Sequence, residues 1–135
     1  MSLISVMVAM VLVAMVAAVF ASSFQVALNS CKIVGNTSQA LSIAQHKIDQ
    51  MRAVGYGRLN YSDLQSAGII DANPSTQPYS FQGVESLNTY YPAPTGTITI
   101  TQPEADVAMV TVYVSWSGNQ KVQGNITLKA LIVRD

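Results

Sequence analysis

From Met1 to Leu28 the chain reads MSLISVMVAMVLVAMVAAVFASSFQVAL, with no glycine, no proline and no side-chain charge, and the first formal charge on a side chain is Lys32. No other stretch restricts the fold as strongly. Built as a helix, the segment extends about 42 Å, whereas a bilayer core needs only about 20 apolar residues. Its apolar side chains occupy every face. That is the pattern of a helix buried in protein or lipid, not of an amphipathic surface helix.

Three readings of this segment are open. A cleavable secretory signal finds a passable cleavage site at Val19-Phe20-Ala21, but it needs a basic stretch ahead of the apolar one, and there is none. A plain membrane anchor needs Lys or Arg near one end, and only Lys32 qualifies. A mature N-terminus left after removal of a short basic leader accounts for both the immediate apolar start and the missing basic flank.

Half of the 135 residues are hydrophobic and 10% are charged. This is too apolar for a disordered chain and low in charge for an ordinary globular domain. Seven basic and seven acidic side chains cancel, with no basic stripe, so nucleic-acid binding by an electrostatic footprint is not expected. Cys31 is the single cysteine; it forms no internal disulfide and reads as a small, partly buried hydrophobe.

The opening Met-Ser-Leu-Ile-Ser-Val-Met-Val-Ala-Met resembles the start of mature type IV pilins and type II secretion pseudopilins. That family begins Phe-Thr-Leu-Ile-Glu and continues as a long apolar helix. Leu3 and Ile4 match directly, and Met1 stands where the family has phenylalanine. The resemblance implies cleavage before Met1, methylation of its amine, and a filament core built from Leu3, Ile4, Ser5, Val6, Val8, Met10, Val11, Leu12, Val16, Phe20 and Phe24. It departs at Ser5, where the family carries a glutamate thought to neutralise the amine of a neighbouring subunit. Serine accepts or donates a hydrogen bond but supplies no charge; some minor pseudopilins also lack the glutamate. Many pilins also carry a glycine and, further on, a proline in this helix; at the matching places this chain has Ala14 and the pair Ser22-Ser23. Serines compete for backbone groups, so any loosening of the helix is expected between Ala17 and Phe24.

Past Leu28 the pattern turns amphipathic. Leu41, Ala44, Ile48 and Met51 recur at spacings of three and four, extended by Ile33, Val34 and Ala40, while Gln39, Gln45, Lys47, Asp49, Gln50 and Arg52 are assigned to the polar face. Gly35-Asn36 is a candidate break or bend, and Gly55-Tyr56-Gly57 ends the helix. Unbroken, Ser2 to Val54 measures about 80 Å, a stalk with a head docked on its second half.

Arg58 to Pro78 reads as a loop with short turns, pinned by Leu64, Ile69 and Ile70. Strands are expected at Tyr79–Val84, at Thr97–Thr101, at Val107–Trp116 and at Val122–Val133, with Ser117-Gly118-Asn119-Gln120 turning between the last two. Val110, Val112, Val114 and Trp116 share one face of their strand, and Ile126, Leu128, Ala130 and Ile132 point inward from the last strand, with Asn125, Thr127 and Lys129 outward. Pro92 to Gly96 is a stiff strand-to-strand connector. One-sided alternation implies one covered and one wet sheet face, with the amphipathic helix as cover. The expected class is therefore α+β: a long N-terminal helix packed on a C-terminal antiparallel sheet, divided into an apolar segment 1–28, its amphipathic continuation 29–54 and a head 55–135. This is the pilin architecture, and the Val-Ser-Trp … Ile-Thr-Leu-Lys-Ala-Leu-Ile-Val ending also resembles the last strands of minor pilins and pseudopilins.

Catalytic chemistry finds no support. His46 lies fifteen positions beyond Cys31, about 22 Å along a helix, which precludes a dyad. His46 with Asp49 reads as a solvated pair, and Glu104 with Asp106 as loop charges. No metal, cofactor or phosphate loop is expected. Asn36, Asn60 and Asn125 head Asn-x-Ser/Thr sequons, which arise often by chance. Tyr90-Tyr91 before a proline is read either as an exposed subunit contact or as sheet-edge packing.

The expected function is structural. Subunits wait in the inner membrane, are extracted by a pilus assembly machinery, and pack their helices into an extracellular homo-oligomeric filament. Burying one such helix removes about 1,500–2,000 Å² of apolar surface, tens of kcal/mol gross at ~25 cal/mol per Å². The alternatives are a minor pilin or pseudopilin and, from another class, a membrane-anchored extracytoplasmic binding domain.

Overall fold

The computed structural model describes residues 2–117 and 123–134. The expected N-methylation position Met1 and the Gly118-Asn119-Gln120 part of the expected turn lie outside the described residues.

Helix α1 runs from Leu3 to Val54 without interruption. The stretch before Gly35 holds no residue that breaks a helix, and the helix continues through Gly35 itself, at a propensity cost of about 1 kcal/mol relative to alanine. The break considered at Gly35-Asn36 is not there. The helix stops at Gly55, whose φ of 83° is open to glycine and whose amide donates to the Met51 carbonyl at 3.2 Å.

The chain forms two compact units, Met1–Gly35 and Asn36–Asp135. The first is a bare helical segment with no buried residue among those described. The second contains the end of α1, a 3₁₀ turn at Tyr56–Arg58, helix α2 (Tyr61–Ser66), strand β1 (Tyr79–Ser80), helix α3 (Leu87–Tyr90), and strands β2 (Thr95–Glu104), β3 (Val107–Ser117) and β4 (Gln123–Val133). The strands form one antiparallel meander in the order β1-β2-β3-β4. The α+β class and its order, long helix first and antiparallel sheet last, are as expected.

The core lies between the sheet's inner face and the second half of α1. Alternation in β3 puts Val110, Val112, Val114 and Trp116 inside, and they meet Ala40, Ala44, Ile48 and Met51 of the helix. Leu64, Ile69 and Ile70 pin the loop to this core as expected. Trp116 pairs across the ladder with Gly124, where a Cβ would collide with the indole ring, so only glycine lets that ring lie down on β4. Tyr91 stacks on the same indole, with centroids 5.0 Å apart.

Two local expectations are corrected, and the two readings of Tyr90-Tyr91 are divided between the two residues. The stretch after Arg58 is not all loop: Asn60 caps α2 by accepting the Asp63 amide at 2.9 Å, a capping pattern that outranks the sequon it also spells. The first strand is two residues long and does not reach Val84. The Asp71 carboxylate accepts hydrogen bonds from the Ser80 hydroxyl and from the Gly83 and Val84 amides at 2.7, 3.0 and 2.8 Å, and these turn the chain out of the sheet. Tyr91 is buried and donates its hydroxyl to the Asn36 carbonyl at 2.9 Å, leaving only Tyr90 exposed.

Candidate functional site

The apolar half of α1 is the largest exposed apolar surface among the described residues, and it is built by what the sequence withholds. With no charge before Lys32 and no helix breaker before Gly35, one segment holds its backbone hydrogen bonds internally and turns every apolar side chain outward. Leu3, Ile4, Val6, Val8, Met10, Val11, Leu12, Val16, Phe20 and Phe24 are all exposed, from 42% at Val6 to 79% at Leu3. Contiguous apolar exposure on this scale marks a surface that belongs against protein or lipid. Among the described residues α1 is the one helix long and apolar enough to cross a membrane.

Its serines do not interrupt this surface. The Ser22 and Ser23 hydroxyls both donate to the Val19 carbonyl, at 2.8 and 3.0 Å, and Ser30 donates to Val26 at 2.9 Å. Each hydroxyl is satisfied by its own helix, and the Ala17–Phe24 stretch remains fully helical. At the start of α1, the Ser2 and Ser5 hydroxyls are 3.0 Å apart, and the Ser5 amide donates to the Ser2 carbonyl at 3.0 Å. Ser5 thus works with Ser2 at the helix entrance.

The docking half of α1 is less regular than its spacing suggested. Ala44, Ile48 and Met51 sit in the core with Val110, Val112, Val114 and Trp116, and Ile126 and Leu128 pack against it partly buried. Leu41 is half-buried and lies outside that cluster; Ala40 takes its place. The largest correction is Lys47, assigned to the polar face but fully buried. Its ammonium lies 2.7 Å from Glu85, donates to the Ile69 carbonyl at 2.9 Å, and sits 5.4 Å from the centroid of the Phe81 ring. The signal was present in the spacing: 40, 44, 47 and 51 repeat at four, three and four, which places Lys47 on the buried stripe. Its charge hid it, because lysine is almost never fully buried without a partner.

Asp71 belongs to the same loop. Burial pushes its pKa up, but the Ser80 hydroxyl, the Gly83 and Val84 amides and the Lys47 charge outweigh that and hold the carboxyl below its usual range. Burial raises the Tyr91 phenol. Cys31 is exposed, contrary to the partly buried position expected for a small hydrophobe. His46 and Asp49 are both exposed on the polar face, as expected; His46 makes a 3.1 Å contact with Gln50, and Asp49 pairs loosely with Arg52 at 3.9 Å. No group of three or more metal-ligating side chains occurs among the described residues.

No family model, no curated protein and no solved structure matches the chain.

Proposed function

We propose that this chain is the structural subunit of a type IV pilus-like filament, polymerising through the apolar half of α1. The observation that carries the reading is the pairing of two properties in one unbroken helix. Leu3 to Leu28 exposes apolar side chains on every face, while Ala40 to Met51 is consumed by the subunit's own core. A segment of the first kind belongs against lipid or other protein, and copies of itself supply the latter. Before assembly it rests in the inner membrane; after extraction by an assembly machinery it packs with other copies into an extracellular helical polymer.

Ser5 favours a second reading within the same class, a minor pilin or pseudopilin. A core position that supplies no carboxylate leaves the neighbouring amine to other acceptors, and a subunit present once at a tip or in a short pseudopilus meets that cost once. Electron cryomicroscopy of filaments sheared from producing cells, with quantitative mass spectrometry of the same material, separates the two. A main-component chain whose first thirty residues line the filament axis supports the major subunit, and a trace component supports the minor one. A chain that stays monomeric in membranes and never enters filaments is a membrane-anchored binding domain, and the proposal is then wrong.

A further inference from the structure

The two edges of the sheet are treated differently. On the β2 side, β1 covers Thr97 and Ile98, and just beyond it the Gln77 side chain accepts the Ile100 amide at 2.9 Å. As far as Ile100 that edge is closed by the chain itself. On the other side β4 pairs with β3 along its whole length, Gln123 to Val133, and nothing among the described residues pairs with its outer edge. In an antiparallel strand every second residue directs its N–H and C=O away from its partner, so β4 presents a row of free backbone groups.

This edge borders a groove. Between α1 and β4 lies a space of about 350 Å³ with Ile48, Leu128 and Ala130 in its lining. Past Arg52 it adjoins a second space of about 470 Å³ lined by Tyr56 and Ile132 to Arg134. On the wet face the same strand exposes Leu131 and Val133. The charges in the lining are Arg52, Lys129 and Arg134 against Asp49. Asp49 and Asp106 approach Arg52 and Arg134 only to 3.9 Å, and Lys129 has no carboxylate within ion-pair distance among the described residues.

We infer that the β4 edge and this groove form a strand-addition site for an extended, acidic segment of another protein. Its backbone continues the sheet, alternate apolar side chains enter over Ile48 and Leu128, and the carboxylates between them face Lys129 on the wet side, with Arg52 and Arg134 adding positive charge at the groove's rim. A second copy of this chain is the poorer occupant. In the register centred on Leu128, antiparallel pairing of β4 with itself sets Leu131 and Val133 against Asn125 and Gln123 and brings the two Lys129 side chains to diagonal positions, where like charges repel. The site is independent of the filament reading, because it requires only the folded second unit.

The test uses the full chain in detergent micelles and a synthetic peptide as long as β4 that alternates valine with glutamate and threonine. Peptide binding is expected to slow exchange of alternate β4 amides by about tenfold or more. The same peptide N-methylated on the amides facing β4 is expected to bind at least about tenfold more weakly. Lys129→Glu, an exposed change, is expected to weaken the acidic peptide by about fivefold while leaving the thermal midpoint unchanged. Unchanged β4 exchange at saturating peptide overturns the proposal, as does equal binding of the methylated peptide. So does a dimer by sedimentation with β4 already protected before peptide is added, which assigns the edge to a second copy.

Discussion

The two halves of α1 obey opposite rules although no break separates them. Residues 3–35 expose all their side chains, and residues 36–54 contribute Ala40, Ala44, Lys47, Ile48 and Met51 to a packed interior. The difference lies in what each half asks of its surroundings. The second half carries one narrow stripe, which a four-stranded sheet covers. The first is apolar all round, and no single neighbour covers every face of a helix. Burial in the second half is intramolecular and comes with folding; in the first, none is supplied by the described residues of this chain.

A charge placed in the first half breaks this comparison most severely. Leu12→Arg puts a guanidinium where the helix is to meet lipid or other helices, at about 2.5–3.5 kcal/mol per copy at a membrane centre. The expected outcome is loss of filaments by electron microscopy with no change in the thermal midpoint of the second unit. Surviving filaments would show that the exposed segment is not the polymerisation surface.

Next in size is Lys47→Ala. It removes the cation from a buried contact with Glu85 and strips the Ile69 carbonyl of its donor. Breaking a fully buried pair from one side costs about 3–5 kcal/mol, and since Glu85 keeps 23% of its side chain exposed the loss is expected at the low end of that range. Arg52→Ala, on the exposed face of the same helix, is expected to change stability by about 0.5 kcal/mol or less. Urea denaturation of both variants checks the contrast, and equal effects would mean that Lys47 is not buried in solution.

Lys47 also shows where the sequence could be read and where it could not. The apolar run, the helix ends and the alternation of β2 to β4 were legible because each is a periodicity expressed by many residues. Val110, Val112, Val114 and Trp116 needed no knowledge of their partners to be placed inside. A buried lysine depends on Glu85 and Ile69, distant in sequence, and hydropathy alone assigns it to water. Cys31 failed in the opposite direction: a residue type usually buried sits in a segment that this chain alone cannot bury. Asn60 was read only as the head of a sequon, and its capping role with Asp63 went unread because the helix it starts is only six residues long.

That cap yields the third prediction. Asn60→Ala removes the acceptor for the Asp63 amide and is expected to cost about 1 kcal/mol in denaturant unfolding. Asn60→Ser is expected to recover most of it, because serine also caps. No loss in the alanine variant would show that α2 is held by Leu64 packing alone.

The smallest expected effect is on the acid limb. Asp71 holds the start of the 80s loop through the Ser80 hydroxyl and two amides. Burial alone would raise its pKa, but these contacts, with Lys47, outweigh burial and depress it. A carboxyl with a depressed folded-state pKa binds protons more readily when unfolded. Its contribution is therefore complete above about pH 4, the unfolded value, and is lost as pH falls through the lower folded value. Asp71 is only half-buried, so solvent screens part of the gain and keeps the effect modest. Urea midpoints measured from about pH 6 down to about pH 2.5, a range that brackets the unfolded value, should fall more gently in Asp71→Asn than in the parent chain. The gap should be widest near neutral pH and should close in acid, where the parent has lost the same charge. Parallel curves would mean that Asp71 titrates identically folded and unfolded, and that the loop beside the docking half of α1 is held by its hydrophobic anchors instead.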